Sequence, residues 1–155
     1  MKACYVDAGD YAISDKKLLY TDSVRYCTAL FVHFPKQKLA AVAHLIPARN
    51  GGASTLEALV RELEARGIKE SGEKTQKISL FSSFSVKPYT TLLAKLGFGR
   101  ASRTLVRRAL SRYAIYIDPK SGIIWLSPSH RPSDGYKVFL IEKSFVFPYE
   151  VRGHG

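Results

Sequence analysis

Cys27 and His44 stand near the two ends of CTALFVHFPKQKLAAVAHLIP, residues 27–47, in which two apolar runs flank Pro35-Lys36-Gln37-Lys38. A thiol beside an imidazole is the smallest set of groups for cysteine nucleophilic catalysis. The imidazole takes the thiol proton, and the sulfur attacks an electrophilic carbon. Whether the two groups meet depends on how the runs pair. Residues 27–34 are rich in β-branched, aromatic and apolar types, and residues 39–46 form a second apolar run. The segment between them has the length of a hairpin turn. With Phe34 opposite Leu39, Ala29 falls opposite His44 and Cys27 opposite Ile46. Side chains alternate faces along a strand, so Cys27 and His44 then share a face as diagonal neighbours, their backbones about 7–8 Å apart. A slip of one residue would put them on opposite faces. The competing role for each is structural: a strand cysteine as a small buried hydrophobe, the histidine as a satisfied core or surface residue.

At 155 residues, with 46% apolar and 24% charged side chains, the chain suits one globular domain with a real core. No apolar run reaches membrane-spanning length, and MKACYVDAGDY has acidic residues where a signal peptide needs a continuous apolar stretch. The expectation is a soluble, cytoplasmic protein without membrane insertion. The two cysteines, Cys4 and Cys27, form no CxxC, and no histidine pair has metal-ligand spacing, so neither a disulfide scaffold nor a zinc site is expected. The net charge of +11 is the unusual number. It favours acidic partners and does not choose among proteins, nucleic acids and membrane surfaces.

The elements that must position the pair follow from pattern. Apolar runs at 3–8 and 11–13 around Gly9-Asp10, and a third at 18–21, predict short strands, and residues 22–26 approach Cys27 as a loop. After a loop at 48–52, residues 54–66 read as a helix. Ser54 and Glu57 match a capping box, Leu56, Leu59, Val60 and Leu63 share one face, and Gly67 marks the stop. Residues 71–75 read as a polar turn and 77–86 as a strand, with Ser79, Ser82, Ser83 and Ser85 either a substrate-facing edge or, as is more common, plain solvent-facing positions. Lys87-Pro88 starts a second helix with a Leu92, Leu93, Leu96 stripe. A third is expected from Ser102 to Arg112, burying Leu105, Val106, Ala109 and Leu110. Arg100, Arg103, Arg107, Arg108 and Arg112 crowd this region, either as a solvated helix face or as a docking patch for an acidic partner. Residues 113–117 and 123–127 form a second hairpin around Asp118-Pro119-Lys120-Ser121-Gly122, followed by a loop at 128–135 and one or two last strands in 136–147.

The order of these features resembles the bacterial chemoreceptor glutamine deamidase family, CheD. VDAGDYAIS (6–14) is similar to that family's Gly-Glu-Tyr-like turn, and Thr21 stands six residues before Cys27 as a family threonine stands before the catalytic cysteine. AHLIP (43–47) matches the Ala-His-x-x-Pro context of the catalytic histidine, a glycine-bearing loop and amphipathic helix follow, and YAIYIDPKSGIIWLS resembles the strand-turn-strand near the family's end. The resemblance covers residues 3–127 and leaves 128–155 as a C-terminal extension. Two stretches depart from it. Ser23-Val24-Arg25-Tyr26 replaces a glycine-rich loop before the cysteine, and LFSSFS (80–85) replaces a Gly-Gly-Ala segment.

The resemblance implies an α+β fold with β-sandwich-like central sheets flanked by two or three helices, also seen in necrotizing-factor-type toxin deamidases. It implies hydrolysis of a protein glutamine to glutamate and ammonia, with Cys27 as nucleophile, His44 as base and acid, Thr21 orienting the imidazole, and no cofactor. The substrate would be a protein with an exposed glutamine and an acidic surface: a chemoreceptor or, for a toxin-like effector delivered into a host cell, a host protein. Two other classes compete. One is a catalytically inactive binding module for an acidic protein; the other, resting on charge alone, is a nucleic-acid-binding protein.

Overall fold

The computed structural model of the protein describes residues 3–47, 52–68, 76–98, 103–128 and 145–146. Its strands form two mixed sheets. In spatial order the first holds β1 (Ala3–Tyr5), β3 (Leu18–Thr21), β8 (Tyr113–Ile117), β9 (Ile124–Pro128) and β10 (Phe145–Val146). The second holds β2 (Tyr11–Ser14), β5 (Leu39–Leu45), β4 (Thr28–Phe34), β6 (Lys77–Ser82) and β7 (Arg103–Val106). With α1 (Ala53–Ala65) and α2 (Lys87–Lys95) the architecture is α+β, as expected.

The central hairpin forms in the expected register. β4 and β5 pair antiparallel, with Phe34 opposite Leu39 and Ala29 opposite His44. Every residue of both strands is buried, because both faces are covered. On one face Ala29, Phe31, Ala40 and Val42 pack against Leu19, Ile115, Ile117 and Leu126 of the first sheet. On the other, Leu30, Val32, Ala41 and Leu45 pack against Leu56, Leu59 and Leu63 of α1 and Leu93 of α2. A strand covered on both sides reads as a continuous apolar run rather than an alternation. Each of the three fully buried α1 leucines contributes about 1.5–3 kcal/mol of burial.

Three expectations are corrected. α1 begins at Ala53, not Ser54, and has no side-chain cap. Its N-cap is Gly52 at φ 77°, where a Cβ would lie 2.8 Å from Leu45 Cβ. The chain enters the helix through a left-handed glycine pressed on β5, which leaves Ser54 inside the first turn rather than at its cap. Ser79, Ser82 and Ser83 are buried, because β6 lies between β4 and β7 with both its faces covered; only Ser85 is exposed.

The third helix is not one helix. Residues 103–106 are β7, parallel to β6, and Arg108–Arg112 form a 3-10 helix. Unpaired amides and carbonyls on the β6 edge offered a better partner to Thr104-Leu105-Val106 than helical spacing did, since these residue types suit a pleated edge. Leu105 and Leu110 still reach the core between the sheets, whereas Val106 is 43% exposed. Ser102, Arg100, the expected turn at 71–75, most of the loop at 128–135 and most of 136–147 lie outside the described residues.

Candidate active site

The turn at residues 7–10 holds the backbone of His44. Asp10 N donates to Asp7 O (3.0 Å), closing the turn. Gly9 N then donates to His44 O (2.8 Å), and His44 N donates to Asp10 O (3.0 Å). Thr55 Oγ1 of α1 donates to Gly9 O (3.1 Å), tying the same turn to the helix. His44, only 1% exposed, lies opposite Ala29 on the strand face turned toward the first sheet.

Across the gap between the sheets, Thr21 Oγ1 lies 2.7 Å from His44 Nδ1 and 2.6 Å from Val6 O. A hydroxyl has one proton. A carbonyl can only accept, so that proton goes to Val6 O and the oxygen must accept from Nδ1–H. The neutral ring is thereby held in its Nδ1–H tautomer, with the lone pair on Nε2. Nε2 is buried and has no hydrogen-bond partner among the described residues. Burial lowers the His44 pKa below the ordinary imidazole value, and the Asp22 and Asp7 carboxylates only partly offset this. His44 is thus a neutral base with its basic nitrogen unengaged. Asp22, itself buried, accepts from Tyr5 OH at 2.7 Å.

Cys27 sits just before β4, one step beyond the Thr28–Leu45 pair and on the same strand parity as Ala29. Its thiol is half-buried, and burial pushes its pKa up, with the Tyr26 backbone pulling it partly back. No hydrogen bond joins it to His44 Nε2. Cys4 is half-buried as well, so exposure does not separate the two.

The loop before Cys27 is pinned without glycine. Ser23 takes φ 55°, a left-handed conformation, and Arg25 N donates to Ser23 O at 2.8 Å. Val24 is fully buried between the sheets, and Ser83 Oγ donates to its carbonyl. Beyond this anchor, Tyr26 stacks on Phe84 (centroids 5.7 Å apart, planes at 14°), and Arg25 lies over the Tyr26 ring at 5.2 Å.

The expected arginine cluster divides. Arg107, Arg108 and Arg112 are exposed, Arg103 lies on β7, and Arg100 is outside the described residues. Arg108 and Arg112 line an open groove of about 630 Å³ together with Arg25, Tyr26, Ser83 and Phe84. Two participants lacked any motif in the sequence, the Val6 carbonyl and Arg25; the buried phenol of Tyr89 is pushed up chiefly by burial and further by Cys27, with Thr28 pulling it partly back. The arginines at 108 and 112 and the aromatic Tyr26 next to Cys27 were the signals that the sequence offered for the groove.

Among the described residues no group of three or more His, Cys, Asp or Glu side chains could hold a metal ion, and no helix is long and apolar enough to cross a membrane. No model of a known protein family matches the chain, and a search of curated proteins finds no match.

Proposed function

We propose that the protein is a cysteine-dependent protein glutamine deamidase of the chemoreceptor-deamidase type. The observation that carries this reading is the Val6–Thr21–His44 relay. It presents an unengaged Nε2 lone pair on the hairpin face that Cys27 shares by strand parity. A buried histidine serving structure alone normally has both ring nitrogens satisfied. Order of motifs supports the same reading, with Thr21, Cys27 and the Ala-His-x-x-Pro segment in family sequence.

In this chemistry His44 Nε2 takes the Cys27 Sγ proton as sulfur attacks the glutamine side-chain carbonyl carbon. The protonated Nε2 then gives that proton to the departing nitrogen. The C–N bond breaks, ammonia leaves, and a thioester joins Sγ to the substrate. Water attacks the thioester, passing a proton to Nε2. The C–S bond breaks, glutamate is released, and the proton returns to sulfur. Thr21 stays hydrogen-bonded to Nδ1–H throughout and steadies the imidazolium when it forms.

The test is mass spectrometry of acidic candidate substrates, chemoreceptor cytoplasmic regions first. A gain of about 1 Da on one glutamine, absent with Cys27→Ala, is the expected result for amide-to-acid conversion. A second reading, a non-catalytic module that binds an acidic protein, draws on the raised thiol and its lack of a bond to His44. It predicts capture of the same partners with no mass change.

A further inference from the structure

Three separate segments build the groove next to Cys27, and each is tied to another. Arg25 and Tyr26 come from the loop before Cys27, Ser83 and Phe84 from the chain after β6, and Arg108 and Arg112 from the 3-10 helix. Ser83 Oγ donates to Val24 O, joining the first two. Arg107 N donates to Ser82 O at 2.9 Å, joining the second and third, while Leu110 anchors the 3-10 helix in the core. The groove is therefore preformed, and its volume is within the ordinary ligand-site range of about 300–1,000 Å³.

Its chemistry is one-sided. Three guanidinium groups line it, and among the described residues no carboxylate does. The ion pair recorded among the described residues is Arg66–Glu62, on a helix elsewhere, so Arg25, Arg108 and Arg112 have no acidic partner among those residues. Between them lie Tyr26 and Phe84, 62% and 59% exposed and stacked on one another. Paired large aromatic rings left in water beside uncompensated arginines mark a binding surface rather than a packing one.

We infer that this groove, lined by Arg25, Tyr26, Phe84, Arg108 and Arg112, binds an acidic segment of a protein substrate adjoining the glutamine that enters at Cys27. This rests on the deamidase reading of Cys27. Tyr26 is its immediate chain neighbour, one Cα step of about 3.8 Å away. A glutamine at the thiol thus has its flanking residues within reach of the Tyr26–Phe84 pair. Guanidinium forks receive carboxylates in paired hydrogen bonds, and the ring pair covers an apolar side chain between them. The preferred sequence is then a glutamine followed or preceded within a few residues by two or three Asp or Glu and one apolar residue. Single-stranded nucleic acid fits less well, because stacked bases need open ring faces. Here the Tyr26 ring has Phe84 stacked on it and Arg25 over it, which leaves the outer face of Phe84 for a single base.

The probe is a fluorescein-labelled peptide with a central glutamine, one adjacent phenylalanine and three glutamates. Its controls are the same peptide with glutamine for glutamate, and an eight-nucleotide single strand. Binding is measured on Cys27→Ala protein, so that turnover does not enter. Acidic peptide should bind at least ~10-fold more tightly than its neutral control, with affinity falling as salt shortens the screening length. The double change Arg108→Glu/Arg112→Glu should remove that preference by ~10-fold or more, and Phe84→Ala should weaken both peptides. Melting temperature should hold in these variants, and alkylation of Cys27 should hold when the same changes are made with Cys27 retained, since the changed side chains are exposed. Equal binding of acidic and neutral peptides, or full affinity after charge reversal, overturns the inference. So does an oligonucleotide that binds more tightly than the acidic peptide. If the acidic peptide binds as described while wild-type protein produces no mass gain, the groove stands and the deamidase reading falls. If the peptide is deamidated with kcat/KM indifferent to charge reversal, the deamidase reading stands and the groove falls.

Discussion

Thr21 Oγ1, on a strand of one sheet, and His44 Nδ1, on a strand of the other, are 2.7 Å apart. The bond crosses the interface between the sheets, beside the aliphatic and aromatic side chains of the core and the buried carboxylate of Asp22. With the Val6 carbonyl taking the hydroxyl proton, the contact selects one tautomer of a buried ring and leaves its other nitrogen free to act.

Removing the hydroxyl while keeping its shape tests that relay. Thr21→Val strands the Val6 carbonyl and Nδ1–H, each a buried polar group whose loss of a partner costs about 1–3 kcal/mol. Turnover should fall ~10-fold or more, less than in Cys27→Ala, because orientation is one part of general-base catalysis. Nitrogen NMR of the imidazole separates this from a packing defect. Wild-type His44 should be in the Nδ1–H form and the valine variant should shift toward Nε2–H. An unchanged tautomer with full activity would reduce the site to Cys27 and His44 alone.

Acid should destabilise the protein in a window set by its buried histidines. Burial holds the folded-state pKa of both His44 and His33 below the ordinary value. The unfolded chain therefore binds protons first as pH falls. The stability held above about pH 6.5 is lost from there down to the lowered folded values, below which the slope flattens. Denaturant melts across this range should show it, and His44→Gln should remove part of the slope. If the slope is identical in that variant, His44 is not buried as neutral imidazole.

Thiol chemistry should report a base and nucleophile that are both neutral at rest. A lowered imidazole and a raised thiol move the two limbs of a pH–rate profile apart. Activity should be level across neutral pH, falling on the acid side below the ordinary histidine value and on the alkaline side above the ordinary thiol range. Because exposure does not separate Cys27 from Cys4, selective alkylation of Cys27 must come from His44, and His44→Gln should abolish the selectivity. Equal labelling of both cysteines in the wild type would count against a thiol–imidazole pair.

The loop before Cys27 carries a residue that glycine would suit better. A left-handed non-glycine residue costs about 1–2 kcal/mol, and glycine returns part of that through its larger unfolded-state entropy. Ser23→Gly, at φ 55°, should leave stability unchanged or raise it by up to about 1 kcal/mol. A clear loss in a thermal melt would show that the serine side chain, not the backbone, holds the turn.

Local pattern was sufficient wherever one segment and its nearest neighbour decide the outcome. The 27–47 hairpin register follows from two apolar runs and a short turn, and with it the shared parity of Cys27 and His44. The leucine stripe of α1 and the hairpin of β8 and β9 were equally legible, because side-chain period is a local property. The resemblance pointed to Thr21 as the group that orients the imidazole, without saying which atom would meet the ring. Only packing of the two sheets brought that hydroxyl to Nδ1 and recruited Val6, which has no distinguishing side-chain chemistry. Residues 103–106 favoured a helix by spacing and became an edge strand, since open hydrogen-bonding groups on β6 outweighed a weak local preference. That displacement turned Arg108 and Arg112 from an expected helix face into one wall of the groove beside Cys27. Charge was visible in the chain, but its position depended on long-range pairing that no local window contains.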